Sequence, residues 1–390
     1  MSFYDNRYYH FNKILLYIIG QWPFQSRLQS NIMLVIMVLL VSTLTALEFW
    51  GLLAGITDLS IILDNVPPLL MNSFFAIKLI NCLCNKYKMK ELLEHIEKTW
   101  KIMHVRPENK ILRFYAEESR TFTIRYMAGM YTAWFLYCGI PMVISQINLL
   151  LPANKTYSVR FLYRMEHVLD MDKYNNLLML HSFFTVFYII SVLVATDCLF
   201  ILCTQHACAL FKCVKYNVER VQGSDLMLLN PNITDDEAYH ALINCIKLYK
   251  RALKFSDLIS STYATCFLFT LGDVVICLSV DAAKLITRDS KIDENVRIGA
   301  AYLGQLMHIY YLSAMSQRLL DHSSGLQEVI YSCDWYRISL RSRHLLKFTL
   351  MRTTKPCQIE PGKLFIMSME NFSSILKVSV SYFTVLISLQ

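Results

Sequence analysis

Six stretches of this chain are long and apolar enough to cross the hydrocarbon core of a bilayer, which takes about 20 mostly apolar residues. They cover residues 32–53, 122–151, 177–211, 258–283, 296–320 and 364–389. A seventh, 61–83, is weaker because it carries Asp64, Asn65, Pro67, Pro68, Asn72 and Lys78. Lipid offers such groups no partner, so this segment is expected to turn them toward protein or a water-filled cavity. Composition points the same way: 55% of residues are hydrophobic and only 17% charged, where soluble domains have about a quarter charged. The expected fold class is an all-α membrane protein with seven transmembrane helices.

The stretches beginning at Phe122 and Leu177 exceed what a bilayer requires. Residues 117–125 and 204–222 keep helical composition and period, so both helices are expected to project beyond the membrane on the cytoplasmic side. Basic residues set the orientation. Three lie in the N-terminal segment, nine between Lys86 and Arg120, seven between Lys212 and Lys254, and eight between Arg318 and Lys363, 27 on one side. The opposite side holds seven: Lys155, Arg160, Arg164, Lys173, Lys284, Arg288 and Lys291. The N-terminus is therefore expected in the cytoplasm and the C-terminus outside. Basic loops facing an anionic inner leaflet account for the net charge of +8 without nucleic acid. The first 27 residues read as about one amphipathic helix and lack the pattern of a secretory signal. With no Gly-rich or Pro-rich linker and no internal repeat, 1–390 reads as one domain.

No phosphate-cradling glycine loop, nucleophile elbow or two-histidine protease helix is present, so the chain is not expected to be an enzyme, and no cofactor is expected. The twelve cysteines fall in spans or cytoplasmic loops under this topology, and no outer disulfide is expected. Cys203, His206 and Cys208 form a partial metal-ligand set on a helix; with three candidate ligands they are assigned to packing, and no metal is expected. Three glycosylation sequons begin at Asn154, Asn232 and Asn371. Only Asn154 lies in an outer loop, so it is the site expected to carry glycan.

The last sixty residues are the most specific part of the sequence. Tyr331 with Trp335 and Tyr336, the basic and apolar run from Arg341 to Met351, Lys355-Pro356, Gly362-Lys363, Phe372 within MENFSSILK, and Ser381-Tyr382-Phe383-Thr384 resemble the C-terminal region of insect odorant receptors. Length, span number and inverted topology resemble that family along the whole chain. The run TQHACALF, residues 204–211, is similar to receptors of the bee, wasp and ant group.

The resemblance implies an odorant-tuned subunit of a ligand-gated, non-selective cation channel. Such subunits assemble as a heterotetramer with a shared co-receptor, in the plasma membrane of olfactory sensory neuron dendrites, with the lipid bilayer, cations and a small volatile ligand as partners. It also implies a split seventh helix: a cytoplasmic half, 341–351, anchoring the tetramer, and an outer half, 364–389, lining the pore. Pro356 and Pro361 fit the break, because proline lacks the backbone donor of a continuous helix. Residues 1–320 would then hold helices 1 to 6 and the ligand pocket, and 321–390 the anchor and pore helix. The pocket is expected between the outer and middle parts of helices 2, 3, 4 and 6. Direction along each helix selects Leu70, Ser73 and Phe74; Met130, Trp134 and Tyr137; His181, Phe184 and Tyr188; and Tyr302, Gln305 and Leu306. Spacings of three and four place each set on one helical face. By resemblance Val385 takes the position of the hydrophobic gate and Ser388 a polar pore-lining position where the co-receptor has Gln. Alternatives are an insect gustatory receptor, whose final-helix Thr-Tyr and Gln-Phe pairs are replaced here by Ser381-Tyr382 and Ser388-Leu389, and a non-channel transporter or scaffold.

Overall fold

The computed structural model describes residues 3–57, 59–150, 171–221, 232, 236–287 and 292–388. Eleven α-helices are found there: α1 (His10–Ile18), α2 (Arg27–Ala54), α3 (Leu59–Cys84), α4 (Lys86–Met103), α5 (Asn109–Trp134), α6 (Ile140–Leu150), α7 (Met171–Glu219), α8 (Glu237–Thr287), α9 (Ile292–Ser332), α10 (Leu340–Thr353) and α11 (Met369–Ser388). No strand occurs among the described residues. The seven spans are α2, α3, the α5–α6 pair, α7, α8, α9 and α11. Among the described residues five segments qualify by length and composition alone to cross a membrane, Ile61–Cys84 among them. The spans of α9 and α11 carry more polar residues. The extensions expected at 117–125 and 204–222 are helical, within α5 and for most of the second within α7.

The N-terminal segment is shorter in helix than its composition suggests. It begins with a 3-10 turn over Phe3–Asp5, and α1 ends at Ile18. Gly20, at φ +68°, supplies the left-handed residue of a Schellman cap, with bonds from Gly20 N to Tyr17 O (3.0 Å) and Gln21 N to Leu16 O (2.9 Å). The segment docks on α4 through aromatic contacts, Tyr8 stacking on Trp100 at 6.0 Å and the Tyr4 hydroxyl donating to Leu93 O at 2.5 Å.

α7 is the central pillar. Every residue from Ile189 to Phe211 is buried, as expected of a helix that is apolar all round and wrapped by others. α3, α5, α8 and α9 pack around it. The polar residues that weaken α3 as a span face protein: Asn65, Asn72 and Lys78 are all buried.

α5 gives way to α6 through a π-turn at Phe135–Gly139, where Ile140 N donates to Phe135 O, five residues back. Pro141 accounts for it. Its ring would clash with the carbonyl of Tyr137 in a regular helix and it has no N–H to offer, and the wider turn relieves both.

The break before α11 matches expectation. After α10 the chain runs non-helically through Pro356, makes a 3-10 turn at Pro361–Lys363 and resumes at Met369. Gly362 and Lys363 both adopt positive φ. A Cβ on Gly362 would lie 2.7 Å from Leu268 of α8, so only glycine lets the link approach so closely. Cys357 N donates to Ser323 Oγ at 2.9 Å and Met367 N to Ile359 O at 2.9 Å, which fixes the link against α9 and on itself.

Candidate functional site

At mid-bundle, four helices converge on one carboxylate. Asp197 of α7 takes Lys78 Nζ of α3 at 2.5 Å and the Tyr126 hydroxyl of α5 at 2.8 Å. His308 Nδ1 of α9 stands 2.9 Å from the same carboxylate and 3.0 Å from the Tyr126 oxygen. All four residues are at most 2% exposed. A buried charge is tolerable only when paired and hydrogen-bonded, and here each group supplies what the next lacks.

The pocket residues expected from sequence belong to the same four helices or, for Tyr137, to the π-turn that follows α5. Phe74 is buried and meets His308 edge-on at 5.9 Å. Its neighbour Ser73 donates to Asp273 of α8. Leu70, Tyr137, Tyr188, Tyr302 and Leu306 are partly buried against the core, and Met130 is buried. Gln305, also buried, donates through Nε2 to Asp281 of α8 at 3.2 Å. Trp134 is held by Phe183 and Phe187 of α7, with ring centroids 4.7 and 5.3 Å away. Its indole nitrogen is buried without a partner among the described residues.

Two expected residues point elsewhere. His181 meets Thr43 of α2 through Nε2 at 2.9 Å, and Phe184 is 49% exposed. Sequence reasoning also passed over His308, Phe183 and Phe187. His308 lies three residues beyond Gln305, a spacing that places both on one face. Two α8 carboxylates, Asp273 and Asp281, hold polar residues of α3 and α9 although α8 was not counted among the pocket helices.

On α11, Ile375 and Ser379 are buried, and Phe372, Leu376 and Phe383 share that face. Ser279 of α8 donates to Ser379 O at 3.2 Å and fastens it. At about 100° per residue, Ser374, Val378, Ser381, Val385 and Ser388 form the opposite stripe. All five are exposed, so Val385 and Ser388 share a face turned away from the rest of the subunit. The Ser388 hydroxyl donates to Val385 O at 2.8 Å, leaving its lone pairs outward. Asn154 lies outside the described residues.

Residues 58–380 match the family model described as "7tm Odorant receptor". The chain therefore belongs to the odorant receptor family, a family of receptors rather than enzymes. Odorant receptor 9a of Drosophila melanogaster is 22% identical over 344 residues, covering 85% of this chain and 82% of that one. The odorant receptor coreceptor of Aedes aegypti is 26% identical over 149 residues, 37% of this chain and 30% of that protein. The chain thus matches about a third of the length of the curated co-receptors. In fold it superposes on the olfactory receptor OR5 of Machilis hrabei, solved in complex with eugenol, with a TM-score of 0.80 at 13% identity, covering 99% of this chain and all of that one.

Proposed function

We propose that this chain is an odorant-gated cation-channel subunit that binds a small volatile ligand between α3, α5, α7 and α9 and opens a central pore lined by α11. The observation that carries the reading is the two-faced α11. One side is buried against the subunit, and the other presents alternating Ser and Val in the open. Four such stripes around an axis would make a narrow pore with a hydrophobic ring at Val385 that closes by excluding water, and hydroxyls at Ser388 that offer a passing ion a polar partner. The solved relative's eugenol complex supports a small organic ligand. The co-receptor similarity supports assembly with a co-receptor in a heterotetramer. The charge count supports a cytoplasmic N-terminus and an extracellular C-terminus, and membership of the odorant receptor family supports the plasma membrane of an olfactory neuron dendrite.

Gating requires the ligand to bind the open state better than the closed one. A pocket built from four helices that share one buried ion cluster suits this, because small shifts of one helix are felt by the other three. Co-expression with an odorant receptor coreceptor, challenged with a volatile panel, tests the reading. Ligand-evoked cation current is the expected result, and its absence with both subunits at the surface would return the chain to the transporter or scaffold class.

A further inference from the structure

Two buried side chains on α9 end in polar atoms left unsatisfied among the described residues. Gln305 is 7% exposed and His308 2%, and among the described residues neither Gln305 Oε1 nor His308 Nε2 has a hydrogen-bond partner. Buried polar atoms are normally paired, and leaving one unpaired is costly.

Both atoms are acceptors. A carboxylate can only accept, so Asp281 fixes the Gln305 amide with its NH2 toward α8 and its carbonyl oxygen away. Asp197 likewise fixes the proton of His308 on Nδ1. A second positive charge beside Lys78 in so buried a place would be costly, so the imidazole is neutral and Nε2 carries a lone pair. Positions three apart on a helix put their Cβ atoms about 5–6 Å from each other.

We propose that Gln305 Oε1 and His308 Nε2 are the polar end of the ligand site, and that the site selects neutral molecules carrying a hydrogen-bond donor, namely alcohols and phenols. The proposal rests on the pocket reading given above. The nearby Lys78 ammonium disfavours a cationic donor, while ethers, esters, ketones and hydrocarbons bring no donor.

The test uses the receptor co-expressed with an odorant receptor coreceptor and a panel of straight-chain alcohols and phenols, each paired with its methyl ether. Hydroxyl compounds should be more potent than their ethers by roughly tenfold or more, because a site built to bond a hydroxyl rejects the analogue lacking it. Gln305→Met removes one acceptor at similar volume and should shrink that ratio. Equal potency of alcohols and ethers in the unmodified receptor would overturn the proposal, whether or not the variants reach the surface, and would assign both acceptors to ordered water. An unchanged ratio in a surface-expressed Gln305→Met receptor would also overturn it. In either case the pocket reading would survive if Trp134→Ala still shifted the dose-response curves. If Trp134→Ala and Tyr188→Ala left every curve in place, the pocket reading and this proposal would fall together.

Discussion

Lys78 and Asp197, 119 residues apart in sequence, form an ion pair at the centre of the bundle with both side chains at most 2% exposed. Removing one member leaves the other charged and uncompensated, at a cost of about 3–5 kcal/mol. Lys78→Ala and Asp197→Ala alone are therefore expected to lose most surface expression and to melt earlier in detergent. The double variant Lys78→Met with Asp197→Leu should recover much of both, since Tyr126 and His308 still reach each other. A thermal-melting series read by size-exclusion fluorescence checks this, and a double variant no better than either single one would contradict it.

His95 of α4 stacks on Phe255 at 4.8 Å, and its Nδ1 is buried without a partner among the described residues. Burial, reinforced by Arg251, Lys254 and Lys98 and opposed by Glu91, pushes its pKa down to about 4. The unfolded chain takes up this proton near pH 6.5, while the folded protein resists until about pH 4. Between those values the unfolded state binds more protons, so stability falls as the pH drops through the window and is flat above it. His95→Gln should flatten that part of the profile. Melting temperatures measured from pH 7.5 to 4.5 test the sign, and parallel profiles for the two proteins would exclude His95 as a contributor.

Much of this arrangement can be read from the chain. The polar residues that weaken α3 as a span predicted that it faces protein, and Lys78, Asn72 and Asn65 do so. Pro356 and Pro361 marked the break before α11. What stayed hidden depends on which face of a helix meets which neighbour. α7 is apolar all round, so spacing alone did not separate Phe183 and Phe187, which hold Trp134, from Phe184, which is exposed. The π-turn at Phe135–Gly139 changes the helical register after Trp134, and Pro141 was its only local sign. His308 was passed over because its partner, Asp197, is over a hundred residues away.

Orientation has a direct test in the sequons. Asn232 is exposed, so burial does not protect it from glycosylation, and only a cytosolic location would. The full-length protein is expected to carry glycan at Asn154 and none at Asn232. Glycosidase-sensitive mass that disappears with Asn154→Gln is the predicted result, and mass that disappears with Asn232→Gln would reverse the topology.

The Trp134 indole and the Tyr188 ring supply much of the aromatic surface proposed for the pocket. Truncating a contact aromatic costs more than about 1.4 kcal/mol, a tenfold change in affinity. Trp134→Ala and Tyr188→Ala should each shift ligand potency by roughly that factor with surface expression retained. Dose-response curves that coincide with the unmodified receptor for both variants would place the pocket elsewhere.

The central claim is that the exposed stripe of α11 lines an ion path. Val385→Ala should raise basal current, because a smaller side chain weakens the exclusion of water from a hydrophobic ring, and substitutions at Ser388 should alter permeability more than ligand potency. The most direct measurement places single cysteines at Val385, Ser388 and Ile375 and applies a hydrophilic thiol reagent during ligand-evoked current, with the unmodified receptor as control. Modification at Val385→Cys and Ser388→Cys, which face away from the subunit, is predicted to block the current, while Ile375→Cys, 8% exposed in the unmodified protein, stays unaffected. Block at Ile375→Cys with none at Val385→Cys or Ser388→Cys would contradict the account.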